Sequence, residues 1–411
     1  MLFAIESLPW LMLLERIESL DLIVDLGFTT LLPSQVILGF CLAGSLPAWF
    51  GALRDRHMFP LVIVSASILT SLIATMVFAP ERAEPVTTAT IQTLAVLSLA
   101  PLLRDYLRHP EKNARLLKST KIFFAFNVGL ILVSFLFPGA TSLWDPGSSG
   151  KGGRVFGIIG DQVAWILVIP FIAVVRANRP WAALLIISSL LMTGSIGAFL
   201  LLLGEGILLL YRRSQLRIVR VGAFLFVALL IVLGFTLSGA RGFGTIGRLL
   251  TDSIFEPGGV GYHRALAFEN ALSSIPDQPL LGFGVGGYST EMNAAWADYA
   301  SRNPDESLSI FVSTHNQFLQ TAAETGLIGL ILFICLVVSL LKLRTKLLAQ
   351  VSLDPWSEAL VRWSTGLLLF NQSAVWIVPG SYLLYFAVVG WGLIYARSGQ
   401  HRIPATPLVK S

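Results

Sequence analysis

The stretch "MFPLVIVSASILTSLIATMVFA", residues 58–79, contains no charged side chain. An α-helix rises about 1.5 Å per residue, so a run of this kind covers most of a hydrocarbon core about 30 Å thick. Further apolar windows lie at 33–52, 87–103, 120–138, 160–176, 181–211, 219–239, 317–342, 357–377 and 381–396. Inside hydrocarbon only helices and closed barrels satisfy every backbone polar group, and these runs are continuous instead of alternating over about ten residues. The fold expected is therefore all-α, a polytopic membrane bundle of about 11–12 helices. Composition agrees, since 55% of the residues are hydrophobic and 13% charged, with a mean hydropathy of +0.74. No soluble core would absorb that much apolar surface.

Orientation follows from the basic residues, which gather in alternate connections. Arg54 and Arg56, the group from Arg104 to Lys121, Arg176 and Arg179, the group from Arg212 to Arg220, and Lys342 to Lys346 all read as cytoplasmic. The formal charge of +5 thus reports orientation in the bilayer and gives no support to nucleic-acid binding. Both ends of 181–211 fall on the cytoplasmic side, so a hairpin turning at Thr193–Ser195 is expected; one long tilted helix is the alternative. Residues 1–30 carry Glu6, Glu15, Arg16 and Glu18; they read as an interfacial or first membrane helix, not as a cleaved signal peptide. The remaining organisation is helices over 31–239 with a short outer loop at 139–159, one large outer loop at 240–315, helices over 316–397, and a cytoplasmic tail at 398–411. Long polar loops on a helical scaffold are where binding and catalytic groups usually lie.

The outer loops carry the candidates. "STHNQFLQTAAETGLIG", residues 313–329, has Thr314 three positions before Gln317, a capping-box pattern that predicts His315 and Asn316 in the first turn of the next span. The positive end of a helix disfavours an imidazolium, so a neutral His315 able to accept a proton is expected; a histidine that merely bonds a headgroup is the alternative. Ala322, Gly326 and Gly329 read as a close-packing surface. Glu324, at membrane depth, is either functional or the buried partner of a polar neighbour, and Glu205 reads as structurally paired. Arg154 and Arg264 lie in the two outer loops, where their planar guanidiniums suit a pyrophosphate; snorkelling or a surface ion pair is the bland alternative. In "GFGVGG", residues 282–287, Gly284 and Gly286 could let backbone N–H groups approach an anion, although glycine clusters more often mark turns.

The tract "PGSSGKGG" lacks the glycine spacing and the Ser or Thr of a P-loop, so no nucleotide is expected. The five histidines show no i, i+4 pair and the outer loops no Asp-x-Asp, so neither a metal nor any other cofactor is expected. Cys41 and Cys335 fall in apolar segments and say little.

Together these residues resemble a known group. His315 and Asn316, nine residues, then Gly326 and Gly329 look like the signature of the bacterial O-antigen ligase and polymerase superfamily. "RVFGIIGD" and "RALAFENAL…PLLGFGVGGY" resemble its two arginine-bearing outer segments. "LMTGSIGAFL" resembles its Ser-Arg-Gly stretch, but Ile196 stands where arginine is usual, and Asp161 stands where asparagine is usual. The resemblance implies a GT-C-type enzyme of the inner membrane with its site facing the periplasm. It implies transfer of a glycan from undecaprenyl pyrophosphate without metal or nucleotide, Arg154 and Arg264 holding the pyrophosphate and His315 assisting the acceptor hydroxyl; direct displacement with one base then predicts inversion at the anomeric carbon. The acceptor would be lipid A core for a ligase or a second lipid-linked repeat for a polymerase. A lipid or ion transporter using Glu205 and Glu324 is the reading from another class.

Overall fold

The computed structural model describes residues 6–10, 24–25, 30–31, 33–137, 162–193, 198, 201–202, 204–205, 260–292, 314, 316–369 and 382–398. Arg154, His315, the 219–239 window and most of 194–211, the second part of the expected 181–211 hairpin, lie outside them. The described chain is helical apart from a two-residue antiparallel pairing of Val24–Asp25 with Thr30–Leu31. Residues 6–10 are helical.

In chain order the helices are α1 (Pro33–Gly44), α2 (Leu46–Leu53), α3 (Phe59–Phe78), α4 (Ala83–Leu97), α5 (Leu99–Leu107), α6 (Pro110–Leu136), α7 (Gln162–Ile166), α8 (Val168–Arg176), α9 (Pro180–Met192), α10 (Val260–Ser274), α11 (Gln317–Gln350), α12 (Pro355–Leu369) and α13 (Tyr382–Ser398). Proline opens or nearly opens α2, α3 and α6, where its fixed φ suits the first turn and its missing N–H costs nothing. Among the described residues four helical stretches are long and apolar enough to cross a membrane, and a fifth if α1 and α2, bent by 49° at Ser45, form one span. This is the all-α polytopic membrane bundle expected. The 87–103 window is part of a longer stretch, Pro80–Leu107.

Large apolar side chains such as Phe40, Phe50 and Phe78 are exposed on the outside of the bundle, as lipid-facing surface would be. Inside, α13 is buried from Tyr382 to Ala396, which fits a helix apolar on every side. It packs mainly on α5 and α12, while α3 packs on α11 and α12 on α8. Two glycines allow that approach. A Cβ at Gly392 would stand 2.6 Å from Leu103 Cβ, and one at Gly390 2.4 Å from Ser364 Oγ, so small residues set the helix separation. Phe386 fills the remaining space against Phe123 and Phe124, with ring centroids 5.7 and 5.2 Å away.

One end of the bundle is held by charge. Glu205, 1% exposed, accepts from Arg344 at 2.8 Å and lies 3.7 Å from Arg362. Arg362 reaches Glu358 at 2.7 Å, and Glu358 reaches Arg176 at 2.6 Å. The structural pairing expected of Glu205 is what the molecule contains, and the pairing joins α8, α11 and α12. Arg176 stands just before α9 and Glu205 well after it, yet both belong to this one cluster.

Candidate functional site

α11 is not one continuous helix. Gly326 has φ 67° and ψ −174°, a conformation almost confined to glycine, and a Cβ there would lie 2.2 Å from the carbonyl carbon of Leu280. The break separates a short N-terminal segment from the long apolar run and interrupts the helical ladder around it. The loop after α10 supplies replacement partners. Phe283 N–H donates to Ala323 O at 2.9 Å, Gly284 N–H to Glu324 O at 2.8 Å, and Leu327 N–H to Pro279 O at 2.9 Å. From α3, Ser71 Oγ lies 2.6 Å from Leu281 O and 2.9 Å from Glu324 O, so its one hydrogen is shared between the two segments. The sequence expectation that Gly326 serves helix packing is therefore corrected: its role is backbone conformation and loop docking. Gly329 is tight for a local reason, with Thr325 Oγ1 2.0 Å from its ideal Cβ position.

The glycine loop fits this junction closely. Gly282, Gly284 and Gly286 all have positive φ, a region open to glycine at little cost. A Cβ at Gly282 would meet the Glu324 backbone at 2.4 Å, and one at Gly284 would meet Val86 Cγ1 at 2.4 Å. The N–H of Gly286 donates to Glu324 Oε1 at 2.9 Å. This loop does meet an acidic group, the protein's own Glu324 side chain, so the N–H groups of Phe283, Gly284 and Gly286 are already used. Tyr288, which follows, packs with Ala271 and Ala323. Burial, with the nearby Glu324 charge adding to it, pushes its hydroxyl pKa up to about 12.

Ahead of the break, Asn316 caps α11. Its Oδ1 accepts from Phe318 N–H at 2.9 Å and Leu319 N–H at 3.2 Å. The expected capping box on Thr314 is corrected accordingly: α11 starts at Gln317 and Asn316 is the cap, one of the side chains best suited to that position. Thr314 has another role. Its Oγ1 donates to Asn316 O at 2.6 Å and accepts from Asn316 N–H at 3.1 Å, while its backbone N–H donates to Gln320 Oε1 at 3.2 Å. Gln320 Nε2 in turn donates to Glu324 Oε1 at 2.6 Å. A chain of hydrogen bonds thus runs from Thr314 through Gln320 and Glu324 to Gly286, fixing the backbone on both sides of position 315 against the loop that follows α10.

Arg264 lies within α10, whose backbone is described, while its side chain, like Arg154 and His315, is outside the described residues. α10 packs against α11. Sequence reading passed over Gln320 and Arg82. Arg82 bonds Glu291 at 2.9 Å, and its guanidinium carbon stands 5.3 Å from the centre of the Phe283 ring. It borders a pocket of about 240 Å³ between the end of α3 and residues 278–283, with Phe78, Thr75 and Leu280 among its walls. The signal for Arg82 was its place a few residues past the last apolar residues of a span; for Gln320 it was the i, i+4 spacing to Glu324.

Comparison with known proteins bears on this region. Residues 181–334 match the family described as O-antigen ligase, a range that takes in α9, α10, the glycine loop and the break in α11. A stretch of 80 residues is 34% identical to a Rickettsia conorii protein named "Putative polysaccharide ligase". The match covers 20% of this chain and 19% of that protein, so the chain spans about a fifth of that relative's length in the alignment.

Proposed function

From an O-antigen ligase family domain built on this junction, we propose a metal-independent inverting glycosyltransferase that takes its glycan from undecaprenyl pyrophosphate at the periplasmic face of the inner membrane. The acceptor proposed is a hydroxyl of lipid A core. In the reaction the acceptor oxygen bonds to the anomeric carbon as the bond from that carbon to the pyrophosphate oxygen breaks. The acceptor's proton goes to His315, and undecaprenyl pyrophosphate leaves with the electron pair. Charge develops on the leaving group, and fixed guanidiniums of Arg154 and Arg264 in a partly dehydrated site would stabilise it. A base held within hydrogen-bond reach typically contributes about 10²–10⁴-fold.

One observation supports this reading most. The segment flanking His315 and the loop that follows Arg264's helix are locked together by the Thr314–Gln320–Glu324–Gly286 chain and by the backbone bonds around Gly326. Preorganisation of that kind is what a displacement with one base and two anion-binding groups requires. The transporter reading loses support from the same structure, because Glu205 is held by Arg344 and Arg362 and is not available to cycle an ion.

The test is a purified-protein assay with lipid-linked glycan in the presence of a chelator, offering lipid A core and a second lipid-linked repeat in parallel. Glycosylated core with inverted configuration is expected. Extension of the repeat alone would make the protein a polymerase, and no transfer to either acceptor would remove the enzyme reading.

A further inference from the structure

A second site lies far along the chain from this junction, where the N-terminal segment meets α6. Trp10 Nε1 donates to Ser119 Oγ at 3.2 Å, and Ser119 Oγ donates to Glu6 O at 3.1 Å. The Trp10 ring sits 5.5 Å from that of Phe123 and 5.9 Å from that of Phe126. Between the two elements is a pocket of about 380 Å³ lined by Glu6, Trp10, Arg115, Lys118, Ser119 and Ile122.

The lining is divided along the helix axis. Arg115, Lys118, Ile122 and Phe126 follow at three- and four-residue steps, so they share one face of α6. Arg115 is 62% exposed at its side chain, and Ile122 and Phe126 are 52% and 43% exposed. Two cations therefore stand above an apolar stripe, and that stripe continues past Gly129, beside which there is open space. One carboxylate, Glu6, opposes them. It accepts from the Tyr106 hydroxyl and lies 3.5 Å from Arg115 Nε. Lys118 has no ionic partner among the described residues, and the pocket keeps a positive charge. The Trp10 indole, polar edge satisfied and ring face apolar, is the side chain expected where headgroups meet acyl chains.

We infer that this pocket binds an anionic phospholipid, its phosphate between Arg115 and Lys118 and one acyl chain along Ile122, Phe126 and Gly129. A free phosphate would gain nothing from the stripe, an uncharged lipid would leave Lys118 unpaired, and a zwitterionic lipid would bring a second cation to a pocket that is already positive. Basic pockets between membrane helices recognise such headgroups by this division of charge and apolar surface. The site is independent of the glycan-transfer reading.

The experiment uses full-length protein in nanodiscs containing equal fractions of acyl-brominated phosphatidylglycerol or acyl-brominated phosphatidylcholine. Bromine quenches indole fluorescence at short range, and the Trp10 contribution is obtained by subtracting the Trp10→Phe variant. The phosphatidylglycerol analogue should quench Trp10 with about fivefold higher apparent affinity. Arg115→Ala with Lys118→Ala should abolish the preference. Lys342→Ala with Lys346→Ala, which removes the same charge from positions on α11 outside the buried core, should leave it intact. Equal quenching by both lipids, or equal loss in both double variants, would overturn the proposal, the latter by showing only general interfacial attraction.

Discussion

Gly286 donates its backbone N–H to the buried carboxylate of Glu324 across 2.9 Å, tying the glycine loop to the helix that begins just after His315. The same oxygen accepts from Gln320 at 2.6 Å. A carboxylate at this depth is expensive unless donors converge on it, and here they arrive from a loop and from its own helix. Glu324 is thus better described as the joint of the site than as a reacting group.

Removing that joint should be costly. Glu324→Ala leaves the buried Gln320 amide unpaired, at about 1–3 kcal/mol, along with the half-buried Gly286 N–H, and should lower the thermal unfolding midpoint in detergent. Glu324→Gln keeps one acceptor oxygen and should fall between that variant and wild type. An alanine variant as stable as wild type would contradict the role.

Gly326→Ala tests the break. Its φ of 67° and the 2.2 Å approach to Leu280 leave no room for a methyl group, so the loop at 279–286 should undock. Limited proteolysis within that loop should accelerate and transfer activity should fall. Gly39→Ala, with nothing within 4 Å of its added carbon, is the control expected to behave as wild type.

Asn316 separates capping from chemistry. Replacement by Ala should cost about 1 kcal/mol through loss of the cap, whereas Asp and Ser retain an acceptor and should preserve most of the activity. Equal losses in all three would mean that the amide nitrogen acts on substrate and that capping is not what Asn316 contributes.

Tyr288 sets a pH window. Its pKa rises from 10.0 to about 12, chiefly through burial, so the folded state holds this proton more tightly than the unfolded state. Its contribution to stability is complete below pH 10 and is lost as pH rises toward 12. Tyr288→Phe cannot ionise and should show a shallower fall in stability across that interval, measured by thermal unfolding at a series of pH values. A parallel decline in both proteins would refute the assignment.

The apolar windows were legible because hydrocarbon leaves the backbone few options, and α3, α6 and the long run of α11 appear where hydropathy put them. Glu205 was legible as a paired residue, but not its partners, since Arg344 is 139 positions away and nothing local points to it. Gly326 and Gly329 have a spacing that fits helix packing, and a sequence does not display the φ that makes Gly326 a break. For the same reason the loop glycines suggest a ligand anion: only the break shows that Ala323 and Glu324 present carbonyls to those N–H groups. The cap falls two residues beyond its expected place because Thr314 and Asn316 are both good cap residues, and hydrogen-bond geometry chooses between them.

The glycan transfer proposed for this protein would rest on His315 acting beside guanidiniums that hold the donor pyrophosphate. Single-turnover transfer from lipid-linked glycan by purified wild type, His315→Ala and Arg264→Ala measures that dependence directly. A fall of about 10²-fold or more is expected for His315→Ala, with a comparable loss for Arg264→Ala; undiminished transfer by the His315→Ala protein would contradict it.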